Sequence, residues 1–267
     1  MLSFLKEPFI QVGLAFSLLS GCLLSYLGVY VILRKVIFIT LGLSQVACLG
    51  FCVGIFWGSS SFFSFIFVLI GLFLLSLNFS EDKIPKESLV AFIWCFSLAV
   101  SIIFISKNPI LEAKSLSFLE GNLLYLRWQD FLKLSIICFL ILILHKICYE
   151  KFLFISFDRE IAAASGLNVK LLDFLLFISI GWLISYSVKT CGVLFVFSSL
   201  ILPAISAFLI SKTIKSAFFI SSLLGFIGIT IGFILSYHLD LPTSPTIVVL
   251  YGMIFMLINL FNLASIS

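Results

Sequence analysis

Residues 31–50 read VILRKVIFITLGLSQVACLG, and the fold turns on how they are taken. Two cations, Arg34 and Lys35, interrupt an apolar run that resumes at once, and Ser44 and Gln45 then sit in the middle of the second apolar segment. An apolar run, a basic break and another apolar run describe two helices that leave a medium and re-enter it. The polar pair either packs against a neighbouring helix or lines a path.

The rest of the chain repeats the pattern. Of 267 residues, 62% are hydrophobic and 10% are charged, with a mean hydropathy of +1.29. Soluble domains carry about 25% charged residues, and no soluble fold of this length hides so much apolar surface, so the solvent is lipid. A bilayer span needs about 20 apolar residues, and stretches of that kind recur from end to end. They leave no room for a sizeable soluble domain, so residues 1–267 are expected to form a single transmembrane domain. The net charge of +4 suits a membrane protein and does not point to nucleic acid.

Nine spans are predicted. The first covers 8–33, too long for the apolar core of a signal peptide and without a small-residue cleavage pattern, so it is expected to be retained. The charge-free run 36–80 is divided by Trp57-Gly58-Ser59-Ser60-Ser61 into a second and a third. The others are 88–106, 131–147, 171–188, 191–210, 216–237 and 245–263, with an aqueous loop at 78–87 that holds five charges and Pro85. The expected fold class is therefore all-α, a polytopic membrane bundle of eight or nine transmembrane helices. With nine spans the two termini lie on opposite sides.

Lys and Arg choose the side. Ten of the sixteen fall at 34, 35, 83, 86, 146, 151, 159, 170, 212 and 215, in one set of alternate loops, and six fall in the other set. The richer set is expected to be cytoplasmic, which places the N-terminus outside and the C-terminus inside. The seven cysteines all lie in or beside apolar runs with no CxxC pair, so they are expected to be small apolar fillers. Gly225, Gly228 and Gly232, on neighbouring turns of the eighth span, are expected to admit another helix at close range.

One cytoplasmic segment stands out: SFDREIAAASGLNVKLLDFLL, residues 156–176. Asp158 is placed to cap a short helix with Glu160 in its first turn, Gly166 ends it, and Asn168 follows. The helix presents Ala162, Ala163 and Ala164, a smooth face shaped to sit in another protein's groove. The alternative is an amphipathic connector lying on lipid, against which stands the lack of large apolar residues.

Glu160, Ala162 and Gly166 fit the E-A-A-x-x-x-G spacing with which permeases of ATP-binding-cassette importers engage their ATPase, with Ile161 replacing one Ala. The segments LGVYVILRKVIFI (27–39), GLSQ (42–45), FLEGNLL (118–124), FDREIAAASGLNVKLLD (157–173), GVLFVFSSLILPAISAFLI (192–210) and DLPTSPTIVV (240–249) follow in the order that one such family has them. Over nearly its whole length the chain resembles the ABC-3 type permeases, the membrane subunits of zinc, manganese or iron importers. The resemblance implies a multi-pass protein of the bacterial cytoplasmic (inner) membrane. It implies a second permease subunit, identical or related, and an extracytoplasmic metal-binding receptor. It also implies a cytoplasmic ABC ATPase docked on residues 156–170, with Asp158, Glu160, Ala162, Ala163 and Gly166 as coupling residues. The chain has no GxxxxGK[ST] phosphate loop, so ATP hydrolysis is expected of a partner, and neither enzymatic activity nor a cofactor is expected of this chain. An intramembrane enzyme fits poorly, since HExxH is absent.

The second span departs from that family. Where relatives read Gly-Asp-Ala-Leu-Ser-His, this chain reads Thr40-Leu41-Gly42-Leu43-Ser44-Gln45. An Asp and a His four apart share a helix face and reach one metal ion; here those positions are Leu41 and Gln45. Three possibilities stay open. Gln45, Cys48 and Cys52 lie on one face and offer soft-metal ligands. A different second permease supplies the ligands. Or metal passes with no ligated stop. Glu120, in FLEGNLL, is a candidate substitute charge in the pathway. His145, beside Lys146 at the expected inner end of the fifth span, and His238 with Asp240 in an outer turn are weaker candidates, and no metal-ligand set is assigned. Two other functions compete: a permease for metal chelates (siderophore, haem or cobalamin), whose chains are longer and have ten spans, and a non-transporting scaffold that has lost the ligands.

Overall fold

A computed structural model describes residues 8–76, 86–107, 121 and 126–266. Its helices are α1 (Pro8–Leu33), α2 (Ile37–Phe56), α3 (Ser60–Ser76), α4 (Lys86–Ser106), α5 (Trp128–Phe157), α6 (Arg159–Ala164), α7 (Val169–Ile210), α8 (Ile214–Leu239) and α9 (Thr243–Ile266). No strand occurs among the described residues, and seven helices are long and apolar enough to cross a membrane. The molecule is an all-helical membrane bundle.

The 42-residue α7 does not run straight. At 1.5 Å per residue it would measure about 63 Å, twice the ~30 Å of a bilayer's hydrocarbon. Gly192 interrupts it at φ 81°, ψ 161°, a backbone region open in practice to glycine alone. Contacts along α1 give the direction of each half. Asp173 pairs with Arg34 and Tyr186 stacks on Phe16, so the first half runs antiparallel to α1. Beyond the glycine Cys191 meets Ser20, Ser199 accepts from Ser25, and Leu200 and Ala204 lie on Gly28, so the second half runs parallel to it. The chain reverses at Gly192 with no loop. The predicted spans 171–188 and 191–210 are the two arms of this hairpin.

The same contact ladders orient the other helices. Ser64 reaches Ala47 and Gly71 lies on Leu43 and Val46, which makes α3 antiparallel to α2. Gly42 against Val90 and Phe56 against Phe104 make α4 parallel to α2. Nine legs alternate in direction among the described residues. The α1–α2 turn, α6 and the α7–α8 turn lie at one end, with the cations at 34, 35, 151, 159, 170, 212 and 215. Trp57, Trp128 and Tyr237 stand exposed at the opposite end, where amphipathic rings suit the membrane boundary.

One boundary differs from expectation. α5 continues to Phe157, ten residues past the predicted end at 147, because Tyr149, Glu150 and Lys151 are charged or polar but none breaks a helix. His145 consequently lies in the interior and is 1% exposed, not at a solvated helix end. Of the three glycines in α8, Gly225 faces Ser25 and Gly21 of α1, whereas Gly228 and Gly232 face Tyr251 and Ile247 of α9. Close approach lets hydroxyls staple the helices. Ser221 donates to the Ser25 carbonyl at 2.6 Å, Ser25 to that of Ser199 at 3.0 Å, and Tyr251 to that of Gly225 at 3.0 Å. In lipid such bonds and tight packing replace the hydrophobic drive.

Candidate functional site

Two regions hold most of the residues singled out by the sequence. The first is α6 with its flanks. α5 ends where Asp158 turns extended, and the Asp158 carboxylate accepts from the backbone N–H groups of Glu160 (3.0 Å) and Ile161 (2.9 Å), satisfying two otherwise free donors of α6. At the other end Gly166 adopts φ +81°, its N–H bonding the Ala163 carbonyl at 3.0 Å and the Leu167 N–H that of Ala162 at 3.3 Å. That pair of bonds is the Schellman closure. Asn168 then caps α7 by accepting from Leu171 N–H at 3.1 Å. A six-residue helix that is marginal in isolation is thus held at both ends.

Ala162 is fully buried and anchors α6 to the bundle, while Glu160, Ile161, Ala163 and Ala164 face outward. The small-residue face is therefore split, one alanine inward and two outward. An open groove of about 420 Å³ runs beside the helix, bordered by Arg159, Glu160, Ala163, Leu167, Asn168 and Lys170.

Behind α6 lies an ion-pair cluster that the sequence did not reveal. Asp173 Oδ1 accepts from Arg34 Nη1 at 2.7 Å, and its Oδ2 takes Arg159 Nη2 at 2.5 Å. Arg34 Nε donates to Ser156 Oγ at 3.0 Å, and the guanidinium sits over the Phe177 ring, 5.8 Å from its centroid. Burial pushes the Arg34 pKa down and the bond it donates to Asp173 pushes it back up; a guanidinium stays charged throughout. In the sequence Arg34 counted only towards sidedness, and its carboxylate partner lies 139 residues away.

The second region is α2. It is enclosed by α3, α4 and α7, unlike α4, whose Phe92, Phe96, Ile102 and Ile103 are exposed. Leu41 is half-buried, and Ser44, Gln45, Cys48 and Cys52 are buried, all on this one helix. The Ser44 hydroxyl donates to the carbonyl of Leu41, one turn back, at 2.8 Å, and Thr40 does the same to Ile37 at 2.7 Å. Both hydroxyls are thereby satisfied within their own helix. Gln45 is 6% exposed. Cys48 and Cys52 belong to the contiguous apolar core. Among the described residues no three His, Cys, Asp or Glu side chains group as metal ligands. Glu120 lies outside the described residues. Its neighbour Gly121, at φ +77°, abuts the Cys191 backbone at the hairpin tip, where an added Cβ would collide.

His145 and its surroundings were also underrated by the sequence. Nε2 is 3.0 Å from Ser179 Oγ, and the ring is boxed by Tyr26, Tyr30 and Phe152, with centroids 5.7, 5.3 and 5.0 Å away. His145 Nδ1 and the Tyr30 hydroxyl are buried without partners among the described residues. His238 and Asp240, by contrast, are exposed at the far end of α8, with Asp240 as its left-handed cap.

Comparison with known proteins agrees with this architecture. The chain is 30% identical to a probable metal transport system membrane protein of Chlamydia pneumoniae over 85% of its own length and 80% of that protein's. It is 27% identical to the manganese transport system membrane protein MntC of Listeria innocua (96% and 92% covered). With the high-affinity zinc uptake system membrane protein ZnuB of Buchnera aphidicola the identity is 28% (92% and 96% covered). The fold matches a chain of PsaBC from Streptococcus pneumoniae with a TM-score of 0.87 at 22% identity, covering 95% of this chain and 91% of that one. An inward-facing putative metal-chelate type ABC transporter matches at 0.71 and 19% identity, with 96% and 85% covered. The ABC 3 transport family matches residues 6–262. Together with the nine alternating legs, this match places the chain in the ABC 3 transport family, as a multi-pass permease of the bacterial cytoplasmic membrane.

Proposed function

We propose that this chain is the permease subunit of an importer for divalent metal ions, zinc, manganese or iron. It takes metal from an extracytoplasmic receptor, pairs with a second permease subunit and is driven by a separate cytoplasmic ATPase. The observation that carries this reading is α6: a short helix capped at both ends, presented beside an open groove at the cation-rich end of an ABC 3 bundle. Asp158 and Gly166 fix its ends, Ala162 seats it, and Glu160 and Ala163 meet the ATPase. Residues 156–170 are the coupling segment of a single transmembrane domain, and ATP chemistry belongs to the partner.

Metal ions are favoured over chelates by the names of the curated relatives. The α2 face is favoured as part of the path because Gln45 is polar and buried, with Leu41, Cys48 and Cys52 on the same side. Leu41 offers no ligand atom and Gln45 one neutral carbonyl, so the second permease subunit contributes the ligands that this α2 lacks. Ser44 supports the helix from within.

The test uses proteoliposomes containing the permease, its cognate ATPase and the receptor. Zinc- or manganese-stimulated ATP hydrolysis with uptake is expected, and its absence with a fully assembled complex would favour the scaffold. Glu160→Lys and Gly166→Arg should leave the permease inserted but strip it of the ATPase. If both variants hold the ATPase and transport like the parent, the coupling assignment is wrong.

A further inference from the structure

We propose that Arg34, Asp173 and Arg159 form the link through which movement of α6 reaches α2. The proposal rests on the assignment of residues 156–170 as the ATPase-coupling segment. A single carboxylate, one turn into α7, holds the first residue of α6 through Oδ2 and the residue after α1 through Oδ1. The two arms are unequal. The Arg34 side chain is 9% exposed and is further fixed by Ser156, whereas that of Arg159 is 65% exposed. Screening and side-chain entropy make the exposed arm weak, and burial makes the other costly to break. The outer arm is the one that yields.

The buried arm has a donor in reserve. Arg34 Nη2 is buried and has no partner among the described residues. When Arg159 withdraws, Asp173 Oδ2 is released, and Arg34 then has a second N–H with which to complete a bidentate pair. Each carboxylate oxygen keeps a guanidinium partner in either arrangement, so the cluster has two discrete states. Arg159 also borders the groove beside α6, so whatever fills that groove touches the yielding arm. An acidic side chain on the occupant would draw Arg159 away.

What happens to Arg34 passes directly to α2. Only Arg34, Lys35 and Val36 separate α1 from α2. Lys35 holds a left-handed backbone, φ 57°, inside a closed turn in which its N–H bonds Ile32 and that of Val36 bonds Val31. A non-glycine residue is strained there. The turn is short and tightly bonded, and has little slack to absorb a shift of the guanidinium. α2 begins at the next residue and carries Leu41 and Gln45.

The experiment measures zinc or manganese uptake per ATP hydrolysed in proteoliposomes of the permease, its cognate ATPase and the receptor, beside retention of the ATPase on the purified permease. Arg159 is exposed, so Arg159→Gln should fold normally. That variant is expected to keep the ATPase bound while uptake per ATP falls roughly fivefold or more, and Arg159→Lys is expected to restore most of it. Parental uptake per ATP in Arg159→Gln overturns the link. So does loss of the ATPase from that variant, which would make Arg159 a docking contact only, and so does failure of Arg159→Lys to restore coupling. The docking assignment fails separately: Gly166→Arg would then retain the ATPase. A parent permease that holds no ATPase overturns both.

Discussion

Ser244, at the start of α9, donates its hydroxyl to the Cys191 carbonyl at 2.9 Å, across the point where α7 doubles back. Gly192 breaks the helical ladder immediately after that carbonyl, so the group would otherwise be buried without its regular partner. Ser244 is fully buried, and Gly121 packs on the same backbone. The hairpin tip is thus closed by segments from two other parts of the chain. Ser244→Ala should lower stability by about 1–2 kcal/mol. Gly192→Ala should cost about 1–3 kcal/mol, because a Cβ is disfavoured at that backbone geometry. Thermal unfolding in detergent, scored by loss of monodisperse protein, measures both. Parental midpoints for the two variants would mean that the tip is not held in this way.

Sidedness gives the second prediction. The cation-rich end holds the α1–α2 turn, α6 and the α7–α8 turn, while Trp57, Trp128 and Tyr237 mark the other. A reporter fused after Lys170 should behave as cytoplasmic and one fused after Leu239 as external. The reverse pattern at both points would invert the topology.

The third concerns the interior of α2. Leu41→Asp with Gln45→His should create or tighten a divalent site in the purified complex without receptor, read as zinc or manganese stoichiometry and affinity. Leu41→Asp alone should be the more harmful single change, since it leaves a carboxylate half-buried in an apolar helix with no counter-charge. Stoichiometric metal on the parent, abolished by Gln45→Ala, would show that Gln45 is itself a ligand.

His145 supplies the fourth. Its Ser179 partner also donates to the Leu176 carbonyl at 2.7 Å, so losing the imidazole does not orphan that hydroxyl. His145→Phe should change stability by less than about 1.5 kcal/mol, as volume-conserving exchanges do. His145→Ala should cost about 2–5 kcal/mol, like other large-to-small changes in a packed core. Equal losses in both would assign the imidazole a polar role that the aromatic box does not explain.

What the sequence determined was local. Hydropathy over some twenty residues marks a span, Trp57-Gly58-Ser59 marks a break, and the Lys and Arg positions choose the side. Asp158 and Gly166 cap α6 because capping involves residues within one or two turns of each other. Which spans lie inside the bundle was not legible. Lipid is as apolar as a protein core, so hydropathy does not separate the buried α2 from the exposed α4. Likewise Gly192 is legible as a break between spans, but only contacts with α1 show a reversal without a loop. The burial of His145 and the sharing of Asp173 by Arg34 and Arg159 were decided by tertiary structure, because each joins different helices and charge pairing between helices leaves no periodic trace in a single sequence.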